Sequence, residues 1–221
     1  MRTVVQTVAS AADGLAFEQD LFMSAGPKVG VWRAREHSLV CPRAYVKHAE
    51  FESGRQQSHA AGWPVFLRTT GGGTVPQGPG IDNLILAFDA PRGSTIDESY
   101  RLLTRVLKRG LSAELDIGET PGSFCDGAWN LSFKGQKLIG TAQRWRPKRG
   151  QPARVLAHAV ILTTDTFYKG ARAVAALHET LKLMPIKSDA HTSLEAAIGV
   201  SELPTTALFA AAKEEFAAQF A

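Results

Sequence analysis

The chain has 221 residues, 44% apolar and 21% charged, which is enough to bury a proper core and fits one domain better than two. A net charge of +4 is too mild to imply nucleic acid by itself. Two cysteines, Cys41 and Cys125, are too few for a disulfide framework and point to a reducing, cytoplasmic setting. The apolar N-terminal stretch is broken by Gln6, Thr7 and Asp13, unlike a secretory signal, and no apolar run is long enough to cross a bilayer.

In chain order, Leu15, Leu21 and Phe22, with Glu18 and Asp20 between them, predict an early amphipathic helix, followed by short strands at VGVWRA and SLVC. Cys41 closes the second of these and reads as a packed strand end. Lys47 to Ala61 reads as a polar surface helix. PVFLRTTGGGTVPQGPGIDNLILAF then gives strand, glycine loop and strand, so that the loop is expected between two core strands. Thr95 and Glu98 form a capping pattern ahead of Ile96, Tyr100, Leu103 and Leu107, with Gly110 as the expected stop.

Trp129 to Phe133 and Leu138 to Trp145 flank KGQK and predict a hairpin that turns at Lys134 to Lys137. RVLAHAVILTTD predicts a strand ending at Asp165, which caps a helix carrying Phe167, Ala171, Val174, Leu177 or His178, and Leu181. A last helix is expected from about Pro204 to Phe220. Strands and helices interleave without a regular βαβ period, so the expected class is α+β, with a mixed β-sheet backed by helices.

Three features could carry chemistry. In RTTGGGTV, Arg68 precedes Gly71, Gly72 and Gly73, a pattern that lets backbone N–H groups and a guanidinium approach an anion, or that simply makes a flexible turn. It is neither a P-loop nor a dinucleotide fingerprint. Lys137 at a hairpin turn is ordinarily a solvated charge, and Cys125 in a glycine-rich loop is ordinarily a structural thiol.

In combination these stretches resemble the biotin/lipoate protein ligase superfamily, in its branch of lipoate-protein ligases and octanoyltransferases. RTTGGGTV is similar to the family's glycine loop, WNLSFKGQKLIGTAQRW to its lysine hairpin, DGLAFEQDLF to its first helix and VWRAREHSLVCPR to the strand pair after it, in family order over roughly residues 10 to 165. The biotin branch's phosphate loop is absent from the sequence. The resemblance implies one catalytic domain over residues 1–221 with no C-terminal accessory domain. It also implies a narrow tunnel for a lipoyl or octanoyl group, whose affinity would come from burying CH₂ groups at about 0.8 kcal/mol each. Arg68, Gly71, Gly72, Gly73, Asn130 and Gly140 would line the acyl group, and Lys137 would contact its carbonyl, where acyl transfer builds negative charge.

The family runs two mechanisms. A ligase would need ATP and magnesium to make an acyl-adenylate. A transferase would pass the acyl group through a cysteine thioester to a lysine of a lipoyl-carrier domain. SFCDGAWNLSFKGQK resembles the segment in which amidotransferase-type octanoyltransferases carry their nucleophile, at the position of Cys125. PQGPG stands where ligases usually carry a His-Asp pair, and Trp129-Asn130 where they carry Asn-Asp. These departures weaken adenylation, whereas the third glycine of the loop is the ligase form and Asn130 replaces the acidic residue of the transferase segment as well; the balance leans to transfer. A non-catalytic acyl-binding homologue is the rival from another class. His158 reads as a satisfied strand histidine, while Asp126 could orient a partner or cap a turn. Arg144, Arg146, Lys148 and Arg149 suit an acidic carrier domain better than nucleic acid, since only Trp145 stands near them as a stacking platform. No metal ligands and no membrane contact are expected.

Overall fold

The computed structural model describes residues 1–149 and 151–220. Its main sheet contains β1 (Arg2–Val8), β2 (Lys28–Ala34), β6 (Ile81–Asp89), β10 (Gln151–Leu162), β9 (Gln136–Lys148), β8 (Leu131–Phe133) and β7 (Asp116–Ile117), in that spatial order. β1 runs parallel to β2 and the remaining pairs are antiparallel. A small second sheet places β3 (Ser38–Pro42) between β4 (Val65–Arg68) and β5 (Val75–Gln77). The helices are α1 (Ala11–Met23), α2 (Phe51–Ala60), α3 (Ile96–Leu111), α4 (Tyr168–Thr180), α5 (Leu194–Ile198) and α6 (Thr205–Phe220). The expected α+β class with a mixed sheet is therefore what the chain adopts.

The period-two alternation of strands sorts the core into two layers. Val29, Val31, Leu84, Leu86, Phe88, Val155, Ala157 and Ile161 face α3 and α6. The intervening Trp32, Ile85, Leu156 and Val160 face α1, α4 and the small sheet. The second layer holds the candidate site.

Several expectations need correction. The glycine loop joins β4 to β5, both in the small sheet, and the continuous apolar strand β6 comes only afterwards. The N-terminal segment forms β1, on the sheet edge. The polar helix is shorter than expected, Phe51–Ala60, after a 3₁₀ turn at Arg43–Lys47. Thr95 does close a capping box with Glu98, but α3 runs past Gly110 to Leu111, and Ser112 adopts the left-handed cap conformation. Gly110 instead lets α6 approach, since a Cβ there would lie 2.8 Å from the Leu208 Cα. Asp165 does not cap α4, because its carboxylate accepts from the Ser193 hydroxyl at 2.5 Å.

The hairpin turn is tighter than expected. Lys134 and Gly135 carry positive φ angles of 50° and 80°, as a two-residue hairpin turn requires, and Phe133 pairs with Gln136. Lys137 therefore lies inside β9 and is not a turn residue. A bulge follows: Leu131 pairs with Ile139 and Ser132 with Lys137, so that Leu138 is the extra residue. Leu138 and Ile139 both enter the helix-side core, which returns Lys137 to the face shared by Gly140 and Ala142.

Candidate acyl-transfer site

Two rows of residues cross the central strands on this face. Trp32, Asn83, Val160 and Gly140 are successive partners across β2, β6, β10 and β9, and Gly30, Ile85, His158 and Ala142 form the neighbouring row. Above them α1 contributes Leu15 and Glu18, and the small sheet contributes Val40, Arg68, Val75 and Gln77. Between these layers runs a narrow, mostly apolar slot, lined on the sheet by Trp32, Asn83, Val160, Gly140, His158 and Ala142, with Cys125 in its wall. With strands spaced about 4.8 Å apart, the span from β9 to β2 is about 14 Å. The polar groups at the distal end are paired. Trp32 Nε1 donates to Glu18 at 2.9 Å, Glu18 meets His158 Nδ1 at 3.0 Å, and the Gln77 and Asn83 amides bond reciprocally at 2.8 and 2.9 Å. Burial would raise the Glu18 carboxyl, but the His158 ring and the Trp32 donor outweigh it and leave Glu18 below its ordinary value.

At the other end, Cys125 takes the left-handed backbone conformation, φ 49°. Its Sγ accepts from the Gly73 N–H at 3.1 Å and lies 3.8 Å from Arg68 Nη2. Arg68 is itself locked onto the carbonyls of Val40, Gly71 and Gly73 at 2.9, 3.0 and 2.6 Å. Gly72, at φ 97°, has no room for a side chain, since a Cβ would fall 2.7 Å from the Cys125 sulfur.

The Lys137 side chain is 1% exposed. Its Nζ donates to the carbonyls of Phe124 and Cys125, at 2.5 and 2.7 Å. Burial pulls the ammonium down to about 8, against the opposing pull of Cys125 and Asp126. Asn130 works at the same point: its Nδ2 donates to the Cys125 carbonyl at 2.9 Å, while its Oδ1 accepts from the Thr141 N–H at 2.9 Å. A Cβ on Gly140 would sit 3.4 Å from Lys137 Nζ.

Arg68, Gly72, Gly73, Cys125, Asn130, Lys137 and Gly140 thus converge on one place, and Gly71 joins them through its carbonyl, which accepts from Arg68. Asp126 caps the turn, its Oδ1 accepting from the N–H groups of Thr120 and Gly127. Cys41 is buried in β3, 3.4 Å from the Thr74 hydroxyl. Arg144 hydrogen-bonds to Gln19 and to Thr69, just ahead of the glycines. Arg146 shares the Phe22 ring with it, the two guanidinium carbons lying 4.0 and 5.0 Å from the ring centroid. The side chain of Lys148 lies outside the described residues. The pairing of Glu18 with His158 shows in the sequence only as a carboxylate among Phe17, Leu21 and Phe22, a breach of an apolar face. Nothing in the local pattern around His191 signals its place behind the cysteine loop. Among the described residues no helix is long and apolar enough to cross a membrane.

Comparison with known proteins gives the family and the fold. An uncharacterised protein of Cupriavidus necator is 43% identical over 143 residues, 58% of this chain and 56% of its own length. An octanoyl-[GcvH]:protein N-octanoyltransferase of Kyrpidia tusciae is 31% identical over 179 residues, 76% of this chain and 61% of its own. The chain therefore spans between about half and two thirds of the length of these curated relatives. Among solved structures, a lipoate-protein ligase A bound with ATP superposes with a TM-score of 0.74 over 98% of this chain and 85% of the other, at 17% identity. A lipoate protein ligase of Thermoplasma acidophilum with bound lipoic acid gives 0.71 over 98% and 86%, at 18% identity. At such identities these two speak for the fold alone. Residues 12–217 match the family described as the lipoyl protein ligase A/B catalytic domain, and the chain belongs to that family.

Proposed function

We propose that this chain is a protein-lipoylation acyltransferase, which passes an octanoyl or lipoyl group between lipoyl-carrier proteins through a thioester on Cys125. The observation that carries this reading is the place of the Cys125 sulfur: it lies in the wall of the apolar slot, with the Gly73 N–H and the Arg68 guanidinium directed at it. Those donors suit a thiolate. The match to octanoyl-[GcvH]:protein N-octanoyltransferases from several bacteria points the same way.

In the first half-reaction the thiolate attacks the amide carbonyl of the acylated donor lysine. A C–S bond forms, the C–N bond breaks and the departing nitrogen takes a proton from solvent to leave as a neutral amine. In the second, the neutral amine of an acceptor lysine attacks the thioester, C–N forms, C–S breaks, the nitrogen gives its extra proton back to solvent and the thiolate returns. Lys137 spends two of its three N–H groups on the carbonyls of Phe124 and Cys125, which leaves the third for the oxygen on which charge develops. The slot buries the alkyl chain and keeps water from the thioester. Arg144 and Arg146, pinned beside Phe22 and Thr69, give the surface next to the glycine loop a basic patch suited to an acidic carrier domain. A cytoplasmic setting accords with free thiols at Cys41 and Cys125.

The rival within the family is an ATP-dependent ligase. Asn130 stands where both branches carry an acidic residue and has both polar ends committed inside the protein, so it does not separate the two. The two are separated by supplying octanoylated donor carrier and apo acceptor without ATP. The transferase labels the acceptor, and Cys125→Ser does not. Labelling only with ATP and free octanoate or lipoate, unaffected by Cys125→Ser, would establish the ligase. Acyl binding with no acceptor labelled under either condition would establish a non-catalytic homologue.

A further inference from the structure

His191 stands in the segment between α4 and α5, far along the chain from Cys125, yet it is fully buried behind the cysteine loop. Its Nε2 accepts the Phe124 N–H at 3.0 Å, and its ring stacks on the Phe124 ring with centroids 4.3 Å apart and planes 20° from parallel. Its own backbone is tied to the lysine strand: the Thr192 N–H donates to the Lys137 carbonyl at 2.9 Å, and the Gln136 amide donates to the His191 carbonyl at 3.2 Å. A second tie, from the Lys187 N–H to the Gly122 carbonyl at 2.8 Å, fixes the same segment to the start of the cysteine loop. The residue before the thiol is therefore gripped on both sides, its carbonyl by Lys137 and its N–H by His191.

We propose that His191 is a positioning residue for Cys125: by accepting the Phe124 N–H and stacking on its ring, it holds the cysteine in its left-handed conformation with the sulfur against the Gly73 amide. The role requires an acceptor nitrogen, and so an uncharged ring. Burial, reinforced by the nearby Lys137 ammonium, lowers His191 to about 4, which keeps Nε2 a lone-pair acceptor at neutral pH. A leucine of comparable bulk would leave the buried Phe124 N–H without a partner, and the loop would then be free to leave a conformation that non-glycine residues adopt reluctantly.

The proposal rests on the thioester reading for its kinetic consequence but not for its structural one. His191→Leu removes the acceptor. His191→Gln restores one, because its Oε1 reaches about where Nε2 does. With octanoylated lipoyl-carrier protein as donor, His191→Leu should lower kcat by about tenfold to a hundredfold, with KM for the donor nearly unchanged, and His191→Gln should recover most of the loss. In parallel, amide hydrogen exchange of the segment from Thr120 to Gly127 should quicken in the leucine variant and stay protected in the glutamine variant. Unchanged exchange and unchanged kcat in His191→Leu would overturn the proposal, as would a loss that glutamine fails to rescue at equal Tm. If the wild-type chain forms no thioester while exchange follows the predicted order, positioning stands and the catalytic reading falls.

Discussion

The Lys137 ammonium reaches the backbone carbonyl of Cys125, at 2.7 Å, while the sulfur of the same residue takes its hydrogen bond from Gly73. Amine and thiol therefore meet at one residue from two directions, with the lysine shaping the loop that presents the thiol. Removing the ammonium should disturb both catalysis and that loop. Lys137→Ala is expected to abolish acyl transfer, and turnover near the wild-type level would contradict its assignment.

Lys137 also gives the fold a pH signature. Its value is about 8 in the folded chain and about 10.5 when unfolded, so between these limits the unfolded state holds more protons. Stability should therefore rise with pH through that window, by roughly 3 kcal/mol at most. Lys137→Met should lack this rise. Denaturant unfolding of both proteins below pH 8 and near pH 10 checks it, and parallel pH dependence in the two would refute it.

The glycine loop is expected to tolerate no side chain at Gly72. Gly72→Ala places a methyl group 2.7 Å from the Cys125 sulfur on a left-handed backbone. It should cost on the order of 1–3 kcal/mol in stability and most of the transfer activity. A fully active Gly72→Ala enzyme would show that the sulfur does not work from this position.

Val160 forms part of the slot floor between Asn83 and Gly140. Val160→Phe should block the alkyl chain and cut octanoyl transfer about tenfold or more, while alkylation of Cys125 by iodoacetamide continues. Equal transfer by the phenylalanine variant would mean that the chain lies elsewhere.

Beside Thr69 and Phe22, Arg144→Glu with Arg146→Glu should lower kcat/KM for the carrier about tenfold in low salt through slower association. The difference should shrink as salt screens it. A deficit independent of salt would assign these arginines to packing against Phe22 instead of docking.

Much of this site was legible because its parts are local. Three glycines after Arg68, the Thr95 capping box and the continuous apolar run of β6 each state their structure within a few residues. Lys137 was harder. A strict alternation counted back from Ala142 and Gly140 puts Leu138 on the site face and Lys137 behind it, and only the bulge at Leu138 reverses that. Nor does the sequence announce that Lys134 and Gly135 complete the turn alone, which turns an apparently solvated charge into a buried one. His191 was invisible for another reason: its partner Phe124 is distant in sequence, and no period or motif connects the two. The same holds for Glu18 and His158, which meet across the interior from α1 and β10.

The most direct test of the central claim is the intact mass of the protein after mixing with octanoylated carrier alone. The account predicts a single added octanoyl group, released by hydroxylamine, mapped to Cys125 and missing from Cys125→Ser. A chain that labels acceptor lysines while never acquiring that adduct would contradict it.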